Sequence, residues 1–303
     1  LVQTIENTPA FVHGGPFANI AQGTNSILAT KLALQTSEYV VTEAGFGFDL
    51  GAEKFFDIVC RYGDFAPCAV VLVSTVRALK MHGGVPKDKL SEPNPAAVTA
   101  GLGNLEKHIE SMLKFNVHPI VTINKFHTDT NEEIEVIEAL CKRLEIRCAV
   151  ADFWAKGGEG GTELAEMVSQ FSCSASAGCR PRPLYSLESP VEEKIQTIAQ
   201  EMYGSSAVDY LPKAKTQLKT IAKYGFDKLP VCIAKTQNSL SDNPALLGRP
   251  KDFLVTVREI HISSGAGFLV PITGEIMRMP GLPQVPSAER IDIDDDGNIY
   301  GLF

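Results

Sequence analysis

The sequence predicts an α/β fold with mainly parallel sheets and flanking helices. Two observations lead to this prediction. Short apolar runs of strand length alternate along the chain with amphipathic stretches of helical period. Most of these apolar runs are hydrophobic at both odd and even positions, which is typical of strands covered on both faces. Strand–helix alternation of this kind indicates βαβ units and parallel pairing.

These patterns predict strands and helices in the following order. Strands are expected at Tyr39–Glu43, Ala69–Ser74, His118–Asn124, Ile146–Ala151, Leu229–Lys235 and Phe253–Ile262. Helices are expected at Ile20–Leu34, Ala52–Arg61, Gly103–Phe115, Asn131–Leu144, Thr162–Gln170, Pro190–Met202 and Lys213–Tyr224. Thr130 is expected to cap a helix whose first turn is acidic, and Pro190 to occupy a first helical position. The stretches His82–Pro95 and Ser172–Pro190, rich in Gly, Pro or Ser, are expected to form loops.

Length and composition limit the number of domains and the functional classes to which this chain can belong. A chain of 303 residues suffices for two domains, and we place the boundary near residue 105, giving 1–105 and 106–303. With a formal charge of -8, nothing in the composition resembles the basic face that a nucleic-acid-binding protein needs. No apolar run reaches the ~18–20 residues of a membrane span, and no signal-peptide pattern is present. Because the sequence begins without Met, we expect a fragment or a processed chain. The seven cysteines match no zinc spacing and are expected to be reduced thiols in the cytosol.

A glycine-rich segment near the start of the chain is the densest chemical signal. Gly-Gly-Pro stands ahead of a helix-like run, so backbone N–H groups are left to face an anion at a helix N-terminus. A plain turn with a proline stop explains the pattern equally well. The candidate residues are Gly14, Gly15, Pro16, Phe17, Ala18 and Asn19.

A second glycine-rich turn follows the predicted strand Tyr39–Glu43. Ligands bind at the carboxyl edge of open α/β sheets, which makes Gly45 and Gly47 candidates for a binding loop. Glu43 lies at the same edge and is a candidate catalytic residue. Close packing of a strand against a helix accounts for the glycines about as well. Asp49 is expected to cap the following helix.

Two aromatic residues follow consecutive predicted strands. Phe126 and the single tryptophan, Trp154, come just past strands that are expected to be neighbours in a parallel sheet. Two rings at one edge can hold a flat heterocycle between them, whereas packing in the core is the alternative for each ring. Each ring stands after its strand, next to glycine or polar residues, which favours a ligand platform.

Later segments offer further candidates. Lys235 ends a predicted strand and can pair with a phosphate, although a surface lysine extending into solvent is the common alternative. The small residues Ser264, Gly265 and Gly267 allow a ligand ring to approach the backbone, or form a tight turn. The stretch Asp292–Asn298 lacks the ligand spacing of a calcium loop, and we interpret it as a β-turn in an exposed acidic hairpin. No metal site is predicted.

Together these segments resemble the formate–tetrahydrofolate ligase family. The resemblance covers essentially the whole chain, through VHGGPFANIAQG, VTEAGFGFDLGAEKF, TVRALKMHGG, FWAKGGEGG, AKTQNSLSD, GAGFLVPITGEIMRMPGLP and the terminal GLF. The sequence departs from the family's usual pattern at Gln22 (commonly His), Phe48 (Ala), His127 (Pro) and Asn238 (an aromatic residue).

The resemblance implies ATP-dependent ligation of formate to tetrahydrofolate. Formate attacks the γ-phosphoryl group of ATP with the help of Mg²⁺, and N10 of tetrahydrofolate then attacks the resulting formyl phosphate to give 10-formyltetrahydrofolate. Phe126 and Trp154 are implied to hold the pterin ring, and Glu43 or Asp129 to bond its polar groups as the catalytic carboxylate. The acyl-phosphate and nucleotide loop would comprise Gly14 to Asn19 with Gly45 and Gly47, and the nucleotide side Lys235, Ser264, Gly265 and Gly267.

The resemblance also implies an architecture related to P-loop NTPases. The range 1–105 would be the C-terminal part of the nucleotide-binding domain and 106–303 the folate side. The Walker pattern GxxxxGK[ST] does not occur in the sequence, so the P-loop segment itself is expected to be missing. A cytoplasmic homo-oligomer, a tetramer by resemblance, is expected, with no permanently bound cofactor, nucleic acid or membrane. The alternative is an inactive or partially active fragment that binds folate or nucleotide without turnover.

Overall fold

The computed structural model describes residues 1–12, 18–117, 119–174, 181–274, 276, 283–295, 297 and 299–301, with the backbone alone for 171–174. Its strands are β1 (Val2–Gln3), β2 (Pro9–Ala10), β3 (Val70–Ser74), β4 (Pro119–Asn124), β5 (Arg147–Ala151), β6 (Ala207–Tyr210), β7 (Leu254–Ser263), β8 (Phe268–Thr273), β9 (Asp292–Ile293) and β10 (Ile299–Tyr300). Its α-helices are α1 (Ile27–Thr36), α2 (Arg61–Gly63), α3 (Val76–His82), α4 (Pro95–Leu113), α5 (Asn131–Arg143), α6 (Phe153–Lys156), α7 (Thr162–Ser174), α8 (Val191–Ile198) and α9 (Pro212–Lys223). Three π-helical segments, Phe48–Ala52, Phe55–Cys60 and Ala199–Tyr203, and three short 3₁₀ turns complete the described elements.

The first of two three-stranded sheets is parallel throughout, in the order β3-β4-β5. Helices α3, α4 and α5 bury their apolar faces with this sheet in one core, around Val76, Leu105, Val121 and Ile137. Strand β4 is buried along most of its length, as its mostly apolar sequence predicts. The predicted strands at Ala69–Ser74, His118–Asn124 and Ile146–Ala151 are therefore confirmed over their described residues, and so is their parallel pairing.

The second sheet is mixed, in the order β6-β7-β8. Strand β6 pairs with β7 in parallel, whereas β7 and β8 run antiparallel because residues 264–267 join them in a tight turn. The predicted strand Leu229–Lys235 forms only isolated parallel bridges to β8, from Val231 and Ala234. Parallel pairing therefore holds for the first sheet and for only half of the second.

One predicted strand is wrong. Residues 39–45 form neither strand nor helix, so Glu43 does not end a strand. The apolar side chains of this run lie in solvent instead of pairing with a sheet, and Val41 is 92% exposed. Apolar composition indicated a buried strand here, but burial requires a neighbouring element, and the described residues supply none.

Capping residues set several helix boundaries that apolar spacing misplaced. Helix α1 begins at Ile27 because the Ser26 hydroxyl accepts the Ala29 N–H at 3.1 Å. Helix α4 begins at Pro95 because Asn94 caps it, and residue 105, our expected domain boundary, lies within this helix. Thr130 caps α5 as predicted, in a capping box with Glu133.

Candidate functional site

The carboxyl edge of the parallel sheet brings Phe126 and Trp154 to neighbouring strand ends. Asn124 of β4 and Ala151 of β5 are paired in register, and the Lys125 N–H donates to the Ala151 carbonyl at 2.9 Å. Phe126 follows one strand by two residues and Trp154 follows the other by three. The neighbour relationship predicted from sequence is thus confirmed, while a pterin sandwich between the two rings stays a prediction.

Trp154 and its neighbour Phe153 are both exposed, Trp154 the more so. Trp154 is 72% exposed on the short helix α6. The ring of Phe153 lies against Gly161, where a Cβ would come within 2.3 Å of the ring. Glu6, near the start of the chain, accepts the Gly158 N–H at 2.8 Å and ties down the loop that follows. Gly161 therefore lets the Phe153 ring pack against the backbone, and the Trp154 indole lies in solvent, where a ligand can reach it.

A buried carboxylate sets the backbone on which Phe126 stands. The Oδ2 atom of Asp129 accepts the Phe126 N–H at 2.9 Å, and the Asp129 N–H donates to the Phe126 carbonyl at 3.0 Å. Burial raises the pKa of Asp129, against the lowering effect of the hydrogen bond from Phe126. Its Oδ1 atom is buried without a hydrogen-bond partner among the described residues. This geometry makes Asp129 a positioning residue for Phe126, and a catalytic role stays a prediction.

Arg77 is a neighbour of Phe126 that the sequence analysis did not select. It lies in the first turn of α3, directly after β3, and its guanidinium carbon is 5.5 Å from the centroid of the Phe126 ring. A cation over an aromatic face is attracted by the ring quadrupole. The helix that carries Arg77 was itself assigned to no element, although Thr75 is a typical N-cap and caps it.

The two glycine-rich loops of the sequence meet in the structure. The Gly45 N–H donates to the Gly23 carbonyl at 2.9 Å, and the Lys54 ammonium donates to the Ala18 carbonyl. A Cβ on Gly45 would lie 3.0 Å from that of Ala18, so the approach is as close as glycine permits. Ala18 and Asn19 are buried at this contact. Gly14, Gly15, Pro16 and Phe17 lie outside the described residues, so an anion at this loop stays a prediction.

Lys235 does not extend into solvent: it is fully buried, and its charge is paired with a carboxylate. Its ammonium lies 2.7 Å from Asp49 and also donates to the carbonyls of Thr236, at 2.9 Å, and Ser239. Burial lowers the pKa of Lys235, while Asp49 opposes that shift. Asp49 was expected as a helix cap, but Gly47 occupies that position and Asp49 is the buried counter-ion. With its three donors engaged, Lys235 anchors the helix that begins after Gly47.

A second buried charge cluster lies one turn further along that helix. Glu53 and Asp57 are both fully buried, and among the described residues both Glu53 carboxyl oxygens and Asp57 Oδ2 have no hydrogen-bond partner. Burial and the neighbouring Asp57 raise the pKa of Glu53 well above its usual value, and burial raises that of Asp57 to about 6. Asp57 also accepts the Leu184 N–H at 2.9 Å and pairs with Arg61 at 3.2 Å. Burial of the two carboxyl groups side by side therefore disfavours their ionisation in the folded protein.

The remaining candidates lie in exposed positions. Glu43 is exposed on the segment that forms no strand. Ser264 and Gly265 are exposed in the β7–β8 turn, and Gly267 takes a positive φ of 80° while its carbonyl accepts the Tyr62 hydroxyl at 2.6 Å. The tight-turn interpretation fits this geometry, and a nucleotide contact stays a prediction.

The acidic stretch near the end of the chain is flanked by two short strands. Strands β9 and β10 pair antiparallel on either side of the acidic stretch, which confirms the exposed hairpin predicted there. Among the described residues, no three His, Cys, Asp or Glu side chains converge as metal ligands do. Within the same residues, no helix has the length and apolar character needed to cross a membrane.

Comparison with known proteins gives one consistent result. A family model described as formate–tetrahydrofolate ligase matches residues 1–303. The formate–tetrahydrofolate ligase of Syntrophus aciditrophicus (strain SB) is 58% identical over 302 residues, which are 100% of this chain and 53% of that protein. The chain thus spans about half the length of this relative. Because the family model matches it from end to end, the chain belongs to the formate–tetrahydrofolate ligase family.

Proposed function

We propose that this chain binds tetrahydrofolate and takes part in the ATP-dependent ligation of formate to tetrahydrofolate. Formate attacks the γ-phosphorus of ATP with Mg²⁺ assistance, and ADP leaves as formyl phosphate forms. N10 of tetrahydrofolate then attacks the formyl carbon, the C–O bond to phosphate breaks, and N10 loses its proton. The products are 10-formyltetrahydrofolate, ADP and phosphate.

One observation carries the folate part of the proposal. Phe126 and Trp154 stand at adjacent strand ends, one held by a buried carboxylate and the other exposed to solvent. Flat heterocycles bind at the carboxyl edge of parallel sheets and stack on aromatic rings. A pterin between these two rings would place N10 beyond the sheet edge, open to the formyl carbon.

The acyl-phosphate part is assigned to the contact between the loops at Ala18 and Gly45. Phosphoryl transfer depends on positioning and on neutralising charge with fixed N–H donors and cations. The meeting of the two glycine-rich loops supports this assignment, with range 1–105 on the nucleotide side and 106–303 on the folate side. Because the chain spans about half of its relative, we propose that alone it binds folate without turnover.

Binding and turnover are measured separately on the 303-residue chain. Tetrahydrofolate should quench the fluorescence of Trp154, the single tryptophan, in a saturable way. In equilibrium dialysis, Trp154→Ala should weaken binding by ~1–3 kcal/mol, by analogy with base–aromatic stacking. Tyr224→Ala, which removes an exposed aromatic ring at the end of α9, is the matched control and should bind normally.

Two results would contradict the proposal. Unchanged tetrahydrofolate affinity in both Trp154→Ala and Phe126→Ala would remove the folate site from this edge. Formate- and ATP-dependent product formation by the purified chain, at the rate of a complete ligase, would overturn the statement that it binds without turnover.

A further inference from the structure

Residues 24–44, here called the arm, connect the two glycine-rich loops. At its base the Gly45 N–H donates to the Gly23 carbonyl at 2.9 Å, the Asn25 amide donates to the Phe11 carbonyl at 2.8 Å, and Thr24 is buried. Within it, α1 is capped by Ser26, and the chain from Ser37 onward forms neither helix nor strand. The base coincides with the contact between the two glycine-rich loops.

The arm exposes more large apolar side chains than its own contacts explain. No residue of α1 is buried. Leu28 is 80% exposed, and Leu32 lies one helical turn later on the same outward face. The other exposed apolar side chains are Leu34, Tyr39 and Val41. Contiguous exposed apolar surface of this kind marks an interaction site on a folded protein.

We propose that the arm is the docking surface for the half of a formate–tetrahydrofolate ligase that this chain does not span. The Syntrophus ligase contains a further stretch, slightly shorter than the matched one, with no counterpart in this chain. The base of the arm adjoins Ala18 and Gly45, so a body seated on the arm lies beside the acyl-phosphate loops. That placement rests on the proposed function, whereas the apolar exposure does not.

Co-expression tests the docking directly. The unmatched part of the Syntrophus ligase, carrying an affinity tag, is produced in the same cells as the wild-type chain or a variant. Leu28→Glu/Leu32→Glu places two charges on the outward face of α1. Leu254→Glu adds a charge at a comparably exposed leucine on β7 and is the control. We expect the wild-type chain and the control to co-purify with the tagged half, and the double variant to bind at least about tenfold more weakly.

Two further measurements separate the alternatives. Hydrogen exchange of the wild-type complex should show added protection in residues 24–44, which keeps the test independent of whether the double variant folds. Analytical ultracentrifugation of the chain alone detects a second copy as the occupant. Absence of a complex, equal binding by the double variant, or a homodimer that the double variant abolishes would each overturn the proposal.

The docking test uses no substrate, so its outcome is separate from that of the proposed function. A complex that depends on Leu28 and Leu32 but binds no tetrahydrofolate would support the docking surface and contradict the folate site. Folate binding without a complex would support the folate site and contradict the docking surface.

Discussion

The Asp129 carboxylate and the Phe126 backbone form a closed pair, in which each residue donates its N–H to an oxygen of the other. The pair sets the turn between β4 and α5 and thereby the direction of the aromatic side chain. A carboxylate identified from sequence as a candidate catalyst is therefore engaged, in this structure, in orienting a candidate binding residue.

Substitution of Asp129 separates positioning from catalysis. In Asp129→Asn an amide oxygen can still accept the Phe126 N–H, so tetrahydrofolate binding should stay within about threefold of wild type. Asp129→Ala removes the acceptor and leaves a buried N–H unpaired, which costs about 1–3 kcal/mol of binding or folding free energy. Equilibrium dialysis and chemical denaturation of both variants measure the two effects. Equal binding by the Asn and Ala variants would show that the carboxylate does not position Phe126.

The positions of Phe126 and Trp154 could be predicted from sequence because two local rules suffice. Apolar runs locate the strands, and consecutive parallel strands are usually neighbours. The pairing of Asp49 with Lys235 could not be predicted from sequence. The two residues are 186 positions apart, and no local pattern distinguishes a buried lysine from an exposed one. The prediction of a strand around Val41 failed for the opposite reason. The composition of this run resembles a strand, but no strand within the described residues pairs with it.

The raised pKa values of Glu53 and Asp57 should appear in the pH dependence of stability. Because folding raises the pKa of both carboxyl groups, the native state binds more protons than the unfolded state above pH ~4. The contribution of this pair therefore falls as pH rises through that window and past the pKa of about 6 of Asp57. Glu53→Gln keeps a neutral side chain of the same shape and removes one titrating group, so its stability relative to wild type should increase with pH.

Urea unfolding of wild type and Glu53→Gln from pH 5 to pH 9 measures this difference. Glu53→Ala is the companion variant, and it should be less stable than Glu53→Gln at every pH because it leaves a cavity at a fully buried position. A difference in stability between Glu53→Gln and the wild-type protein that is constant with pH would mean that Glu53 is ionised in the folded state.

The Asp49–Lys235 ion pair predicts strong non-additivity. Asp49→Asn leaves a buried ammonium without its counter-charge, and Lys235→Met leaves a buried carboxylate, so each should lower the free energy of unfolding by about 3–5 kcal/mol. The double variant Asp49→Asn/Lys235→Met buries no unpaired charge and should lose less than the sum of the two. A double-mutant cycle by urea denaturation gives the coupling energy. Additive losses would show that the two charges do not stabilise each other.

Gly51 tests whether the contact between the two glycine-rich loops depends on the absence of a side chain. A Cβ at Gly51 would lie 2.0 Å from the Gly45 carbonyl oxygen, and backbone cannot move aside as a flexible side chain can. Gly51→Ala should therefore push the Gly45 turn away and cost about 1–3 kcal/mol of stability, the usual range for overpacking. Gly265→Ala, with nothing within 4 Å of its Cβ and no positive φ, is the control and should leave stability unchanged. Thermal unfolding measures the loss, and hydrogen exchange at the Gly45 amide, which donates to Gly23, reports whether the loops have separated. Wild-type stability in Gly51→Ala, with the Gly45 amide still protected, would show that the contact tolerates a methyl group and does not depend on glycine there.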